Sequence, residues 1–179
     1  MQAPTLRDVY RAKKTIAPHI PRTPLHYSSG LSEMLSAEVY LKHEEHLPLG
    51  AFKGRGGINL LANLSDEEKK RGLITASSGN HGQSMASACK LFGVKAVIGL
   101  PEDANPNKVA AMRALGAELV FHGADFDAAR LHCERLAKEE GYRFVHPVND
   151  PLLIAGVGTQ TLETVEDLPD VEVLMLPLG

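Results

Sequence analysis

Lys53 lies in the run Gly50-Ala51-Phe52-Lys53-Gly54-Arg55-Gly56-Gly57, among glycines and one small residue. Such surroundings let a planar ligand approach the backbone closely. Arg55 nearby, and desolvation with it, would disfavour the ammonium form of Lys53. A neutral lysine amine is what Schiff-base chemistry requires. On the residues alone, a surface lysine at a Gly-rich helix start is the simpler reading.

A second run, Thr75-Ala76-Ser77-Ser78-Gly79-Asn80-His81-Gly82-Gln83, falls between a short apolar segment and a helix-like one. Backbone N–H groups there point out of a helix N-terminus, a natural seat for a phosphate or carboxylate. In an open parallel sheet such a loop lies beyond the carboxyl ends of the strands, where ligands bind. A plain helix cap made by Ser and Asn is the competing reading, and the residues do not decide between the two.

These runs must be held by regular elements. Thr5 with Asp8 opens a helix to about Ala17, with Leu6, Val9, Tyr10, Lys13 and Ile16 along one side. Residues 22–29 read as extended, 31–35 as a short helix, and 39–41 as a strand. A helix is expected from Phe52 to Leu64, and Ser65 with Glu68 caps another that Gly72 closes. Leu73–Ala76, Lys95–Leu100, Glu118–Phe121 and Tyr142–Val145 are strand-like. Between them lie helices over 81–92, from the Asn105-Pro106 cap to Leu115, and from Asp125 to Glu140. Phe126, Ala129, Cys133, Leu136 and Ala137 are expected to face inward in the last of these. The alternation predicts an α/β fold of three layers, a mostly parallel sheet with helices on both faces, joined by right-handed crossovers. Ile154–Asp167 reads as a helix opened by a flexible Gly156-Val157-Gly158, and Val171–Leu176 as a buried strand.

The bulk properties fit a soluble globular chain: 179 residues, 44% hydrophobic, 23% charged, net charge −3. Acids and bases are interspersed, which points to neither nucleic acid nor an anionic membrane as partner. No apolar run approaches the roughly 20 residues of a membrane helix, and Met1–Pro4 does not open a secretory signal. Cytoplasm is the expected compartment. Cys89 and Cys133 read as reduced packing residues. His43-Glu44-Glu45-His46 has two histidines three apart but follows a strand and lacks zincin spacing, so no metal ligands are assigned. Asp125-Phe126-Asp127 is most simply a helix cap.

Taken together, the two runs resemble the serine/threonine dehydratase and serine racemase family, fold-type II pyridoxal-phosphate-dependent enzymes with a tryptophan synthase β-like fold. Leu49–Gly57 is similar to that family's Schiff-base lysine motif, usually Ser-Phe-Lys-x-Arg-Gly-Ala. Ser77–Gln83 looks like its substrate-carboxylate loop, and Ala155-Gly156-Val157-Gly158-Thr159 resembles its Ala-Gly-Gln-Gly-Thr segment. The resemblance runs from about residue 5 to the last residue, and it outweighs the surface-lysine reading.

It implies pyridoxal 5′-phosphate as cofactor and Lys53 as both its Schiff-base partner and the base that takes the Cα proton. It implies that Phe52 packs near the cofactor and that Asn80 bonds its 3′-oxygen. Ser77, Ser78, Gly79, Asn80 and His81 would cradle the substrate carboxylate. The implied reaction is β-elimination from L-threonine or L-serine to a 2-oxo acid and ammonia, in a homo-oligomer acting on a small amino acid. Ala51, Gly57 and Val157 depart from the common Ser, Ala and Gln. Val148, after His146-Pro147, leans toward a dehydratase, whereas Ser78 matches the second catalytic base of racemases. A serine or hydroxyaspartate racemase/dehydratase is therefore an alternative, and a catalytically inactive truncated fragment is another.

The chain stops at what resembles the first glycine of a phosphate-binding loop. By analogy it is an N-terminal portion of a family member. Residues 1–50 and 150–179 are then expected in an incomplete large domain, and 51–149 in a small α/β domain.

Overall fold

The computed structural model describes residues 2–177. Helix α1 (Leu6–Ile16) opens on a reciprocal cap, in which the Thr5 hydroxyl accepts the Asp8 N–H and the Asp8 carboxylate accepts the Thr5 N–H. Strand β1 (Leu25–Tyr27), helix α2 (Ser29–Leu35) and strand β2 (Tyr40–Lys42) follow, with β1 and β2 paired antiparallel, Leu25 against Lys42. A 3₁₀ turn (Glu44–His46) leads into α3 (Lys53–Ala62) and α4 (Asp66–Arg71).

The alternating block then builds one parallel sheet from β3 (Leu73–Ala76), β4 (Ala96–Leu100), β5 (Glu118–Phe121) and β6 (Arg143–Phe144), in the spatial order β5-β4-β3-β6. Its register sets Ile74 against Val97 and Phe144, and Ile98 against Leu119. Between the strands run α5 (Asn80–Phe92), α6 (Pro106–Ala114) and α7 (Phe126–Glu140). If every crossover has the same hand, helices on the outward steps β3→β4→β5 and on the return step to β6 must lie on opposite faces. The side chains obey this. Leu73, Ala96, Ile98 and Leu100 share a core with Met85, Val109 and Met112 of α5 and α6. The intervening Ile74, Ala76 and Val97 pack on Cys133 of α7. Each fully enclosed aliphatic residue of this kind contributes roughly 1.5–3 kcal/mol. Cys89 and Cys133 are buried and unpaired, and burial pushes their thiols up to about 12 and about 11.

Of the stripe on α1, Ile16 is buried with Ala12, whereas Leu6 and Tyr10 are exposed. Three expectations are corrected. Phe126 is exposed too, lying in the first turn of α7 before that helix reaches the sheet. Helix α8 (Pro151–Asp167) begins at the Asp150 cap, earlier than Ile154, and carries Gly156 and Gly158 inside it. Gly156 faces the backbone of α3 and Gly158 the side chain of Val9 on α1, so both are packing sites rather than a flexible opening. Residues 171–176 form no strand, since none of the described strands pairs with them and a strand exists only through its ladder. The expected loop glycine at 179 lies outside the described residues. No described helix is long and apolar enough to cross a membrane.

Helix α8 packs on α1 and α3, and α3 packs in turn on α5. Charge pairs reinforce the first and last segments: Lys13 and Arg22 meet Glu166, Arg22 meets Asp167, and Lys42 meets Glu163.

Candidate active site

Lys53 is the first residue of α3, and no side chain caps this helix start. Its Nζ lies 5.4 Å from the Phe52 ring centroid and makes no hydrogen bond or ion pair with any described residue. A cation is unusual at the positive end of a helix macrodipole. The backbone below it is held firmly, since the Ser84 hydroxyl of α5 donates to the Lys53 carbonyl at 2.6 Å.

Two residues on, Arg55 points the other way. It is fully buried and donates to both carboxylate oxygens of Glu44 at 2.8 Å and of Glu163 at 2.7 and 3.0 Å. It also reaches the hydroxyls of Thr159 and Thr23. Desolvation pulls its pKa down, but the hydrogen bonds it donates to Glu44 and then to Glu163 more than offset that, so it stays charged. Burial raises Glu163, yet Arg55 and Lys42 hold its carboxyl below the ordinary value. The guanidinium expected to act on Lys53 is instead engaged by two carboxylates.

The glycines of this run serve packing as well. A Cβ on Gly57 would collide with the Ser84 hydroxyl, and one on Gly56 would lie 3.0 Å from the Leu153 carbonyl. Opposite them, a Cβ on Gly156 would come within 2.6 Å of the Arg55 carbonyl. Helix α3 is thus wedged backbone to backbone between α5 and α8, which fixes the height and tilt of its first turn.

The loop from β3 to α5 divides into two kinds of residue. Ser77 is inward: its N–H donates to the Gly99 carbonyl, and its hydroxyl accepts the N–H groups of Gly79 and Gly82 at 3.2 and 3.0 Å. Ser78 and Asn80 are exposed, and the Asn80 amide oxygen accepts from Lys108 Nζ at 3.1 Å. The N–H groups of Ser78, Asn80 and His81 have no acceptor among the described residues, and a Cβ on Gly79 would meet open space. Ser77 gives the cap that one reading expected, without Asn80, while its neighbours leave donors free at a helix N-terminus, as the other reading requires.

His81 is buried, and its protonation is settled by its neighbour. Thr75 Oγ1 donates its single proton to the Val145 carbonyl at 2.8 Å. At 3.0 Å from His81 Nε2 it can only accept. Nε2 thus carries the hydrogen and Nδ1 keeps a lone pair. Desolvation, followed by the charges of Lys53 and His146, pulls the imidazole down to about 4, so it is neutral at pH 7.

Lys53 and His81 line one cleft of about 260 Å³. Gln160 and Thr161 are its other polar residues, and Pro147, Val148, Leu153, Val157 and Leu176 supply apolar wall. The cleft opens where the strand order reverses, between the loops that leave β3 and β6, the expected seat for a ligand in an open sheet. Phe52 adjoins it through Lys53. Ser77, Ser78, Gly79 and Asn80 are not in its lining and sit on the loop that leads into His81. The sequence reading missed Glu44, Glu163 and Thr159 around Arg55, and Ser84 under Lys53. A buried arginine needs carboxylates, but their distance along the chain hid which ones.

The chain matches a family model described as pyridoxal-phosphate dependent enzyme over residues 16–179. It is 47% identical over 175 residues to an L-threonine ammonia-lyase of Thermotoga maritima, covering 98% of this chain and 44% of that protein. It is 42% identical over 176 residues to a catabolic L-threonine dehydratase of Staphylococcus aureus, covering 98% of this chain and 51% of that one. It superposes on maize serine racemase with a TM-score of 0.89 at 33% identity, covering 94% of this chain and 51% of that structure. The chain spans about half the length of the curated relatives it matches.

Proposed function

Because the chain belongs to the pyridoxal-phosphate dependent enzyme family, we propose that it carries the lysine-bearing part of a dehydratase, a lyase acting on L-threonine or L-serine. The products are a 2-oxo acid and ammonia. One observation carries the reading: an unpartnered lysine amine shares a cleft with a neutral imidazole, beside free N–H groups at a helix N-terminus. The names of the threonine ammonia-lyase and dehydratase relatives support the substrate class.

The residues present fit pyridoxal 5′-phosphate on its reactive side. Lys53 offers an amine with no competing partner, Phe52 an adjacent ring, and Gly79 open space where a side chain would intrude. When bound, the group supplies an aldehyde that condenses with amines and a pyridine ring that accepts the electron pair left on Cα. Lys53 Nζ then holds and moves the Cα proton. The N–H groups of Ser78, Asn80 and His81 bind the substrate carboxylate, with Gly79 giving it room. Ser77 shapes this loop through its cap and contributes only its hydroxyl proton. Asn80, whose amide oxygen is engaged by Lys108, would hold the 3′-oxygen through its amide N–H. Neutral His81 keeps a second positive charge away from Lys53.

We further propose residues 1–50 and 150–179 as parts of a large domain and 51–149 as a small one. The ion pairs joining the first and last segments support this division. A homo-oligomer in the cytoplasm completes the reading, supported there by two buried, unpaired cysteines.

A serine or hydroxyaspartate racemase is the second reading, favoured by the exposure of Ser78 beside the free N–H groups, where its hydroxyl can exchange a proton. D-isomer in recovered substrate, formed by a chain of the relatives' full length, would select it.

The decisive experiment is borohydride reduction after incubation with pyridoxal phosphate, followed by peptide mapping. A pyridoxyl adduct on Lys53 is expected. Its absence both from this chain and from one of the relatives' full length sinks the enzyme reading and leaves an inert fragment.

A further inference from the structure

The quartet His43-Glu44-Glu45-His46 lies outside the Lys53 cleft, on the 3₁₀ turn after β2 and its flanking residue. Side chains three apart eclipse in a 3₁₀ helix. The rings of His43 and His46 accordingly stack, with centroids 5.0 Å apart and planes at 14°. Glu45 reaches both of them. Its Oε1 accepts from His43 Nδ1 and lies 3.9 Å from His46 Nε2. One ligand atom from each of the three residues falls within 4.8 Å of the others. A further imidazole arrives from another element: His26 of β1 meets His43 edge-on at 5.0 Å.

The neighbouring charges are already engaged. Lys42 donates to Glu163 and to the Thr23 carbonyl, and Glu44 is turned inward to Arg55. Among the described residues, the ion-pair partners of Glu45 are the two histidines alone.

We propose that His43, Glu45 and His46 bind a divalent transition-metal ion of the zinc type. Two imidazoles and a carboxylate are an accepted set for such an ion. Bonds of about 2.0–2.2 Å at tetrahedral angles put ligand atoms roughly 3.3–3.6 Å apart. Small side-chain rotations from the present arrangement reach that spacing. Binding requires the His43 Nδ1 proton to move to Nε2 or to solvent, which exposes the lone pair. Water completes the coordination, with His26 at its rim. The quartet's failure to match a helical zinc motif does not count against it, because the 3₁₀ turn supplies the alignment that a helix would otherwise give. Since Glu44 stands between the ligands and grips Arg55, an ion here would also brace the turn that holds α3.

The test is titration of the 179-residue chain with Zn²⁺ by calorimetry, without pyridoxal phosphate. One ion per chain is expected, with affinity on the order of micromolar. His46→Ala and Glu45→Gln, both at exposed side chains, should weaken it by more than about tenfold. A thermal midpoint that rises with Zn²⁺ concentration should lose that rise in the same variants. His122→Ala, at a stacked histidine pair elsewhere, should bind like the parent, and so should Lys53→Ala, which separates this site from the lysine chemistry. Absence of saturable uptake, or equal uptake by a His43→Ala/His46→Ala double variant, would overturn the proposal.

Discussion

Lys53 and Arg55 are two residues apart on one helical turn, and their surroundings are opposites. Every side of Arg55 is answered by two carboxylates in bidentate contact and two hydroxyls, and the guanidinium itself is sealed from solvent. Lys53 is half-buried at the edge of a cleft, with an aromatic ring and a neutral imidazole nearby and no acceptor for its amine. Under the proposed function the side chain left without a partner is the one available to react, whereas the one fully paired in the interior sets position. The wedge of glycines between α5 and α8 couples the two, because the turn cannot tilt without loosening both.

The sharpest way to break this comparison is to remove Lys53. In a chain of the relatives' full length, Lys53→Ala should lower 2-oxo-acid formation on the order of 10³-fold or more. Its denaturant midpoint should hardly move, since no hydrogen bond or packed core is lost. Retained turnover in that assay would end the assignment of Lys53.

Arg55 should behave in reverse. Arg55→Met leaves Glu44 and Glu163 facing each other in the interior, which costs about 3–5 kcal/mol. Lys42, already on Glu163 at 2.7 Å, keeps the loss toward the lower end. Arg55→Lys preserves the charge but not the fork that satisfies four oxygens, so it should recover only part of that stability. Urea unfolding measures both. A lysine variant as stable as the parent would show that charge alone suffices and that the fork positions nothing.

The unequal legibility of the two residues has a physical basis. Local residues announced the turn that carries Lys53, with Phe52 beside it and glycines after it, but left the lysine itself as a surface residue; the resemblance of Leu49–Gly57 to a lysine motif is what singled it out. Much of the α/β alternation was readable from local residues too, since Asn105-Pro106 announces α6, Asp125 α7, and Ser65 with Glu68 the helix before β3. The environment of Arg55 depends on Glu163, over a hundred residues away, and no local pattern specifies it. Gly156 and Gly158 were misread as a flexible entry because a glycine for freedom and a glycine for close packing look alike until the opposing backbone is seen. The tail at 171–176 has the composition of a strand, but composition provides no ladder partner.

The cleft side can be probed further through His81. Its folded value of about 4 lies below the ordinary 6.5, so between these limits the unfolded chain binds more protons than the folded one. Stability is then fully present above pH 6.5 and is lost as pH falls toward 4, by about 3 kcal/mol. His81→Gln keeps a donor for Thr75 without titrating. Urea unfolding from pH 7.5 down to 4 should show a steeper fall for the parent than for this variant. Parallel curves would mean that His81 charges freely in the folded state, and the cleft would then hold two cations rather than one.

The smallest expected effect tests the coupling between the two sides. A methyl on Gly156 would press on the Arg55 carbonyl at 2.6 Å, Gly56 Cα at 2.8 Å and Asn59 Cβ at 2.9 Å. Backbone cannot step aside as a flexible side chain would, so α8 and α3 must separate. Overpacking of this kind costs about 1–3 kcal/mol, and the better helix propensity of alanine returns up to about 1 kcal/mol of it. Gly156→Ala should therefore lose about 1–2 kcal/mol in urea unfolding. Gly30→Ala, in the first turn of α2 with nothing within 4 Å of its Cβ, should be neutral or slightly stabilising. Because the displaced turn carries Lys53, Gly156→Ala should also slow borohydride-trapped adduct formation on Lys53, while Gly30→Ala leaves it unchanged. If Gly156→Ala destabilises the fold but leaves adduct formation at the parental rate, the two residues share a turn without sharing its position, and Lys53 is placed by the Ser84 contact from α5 alone.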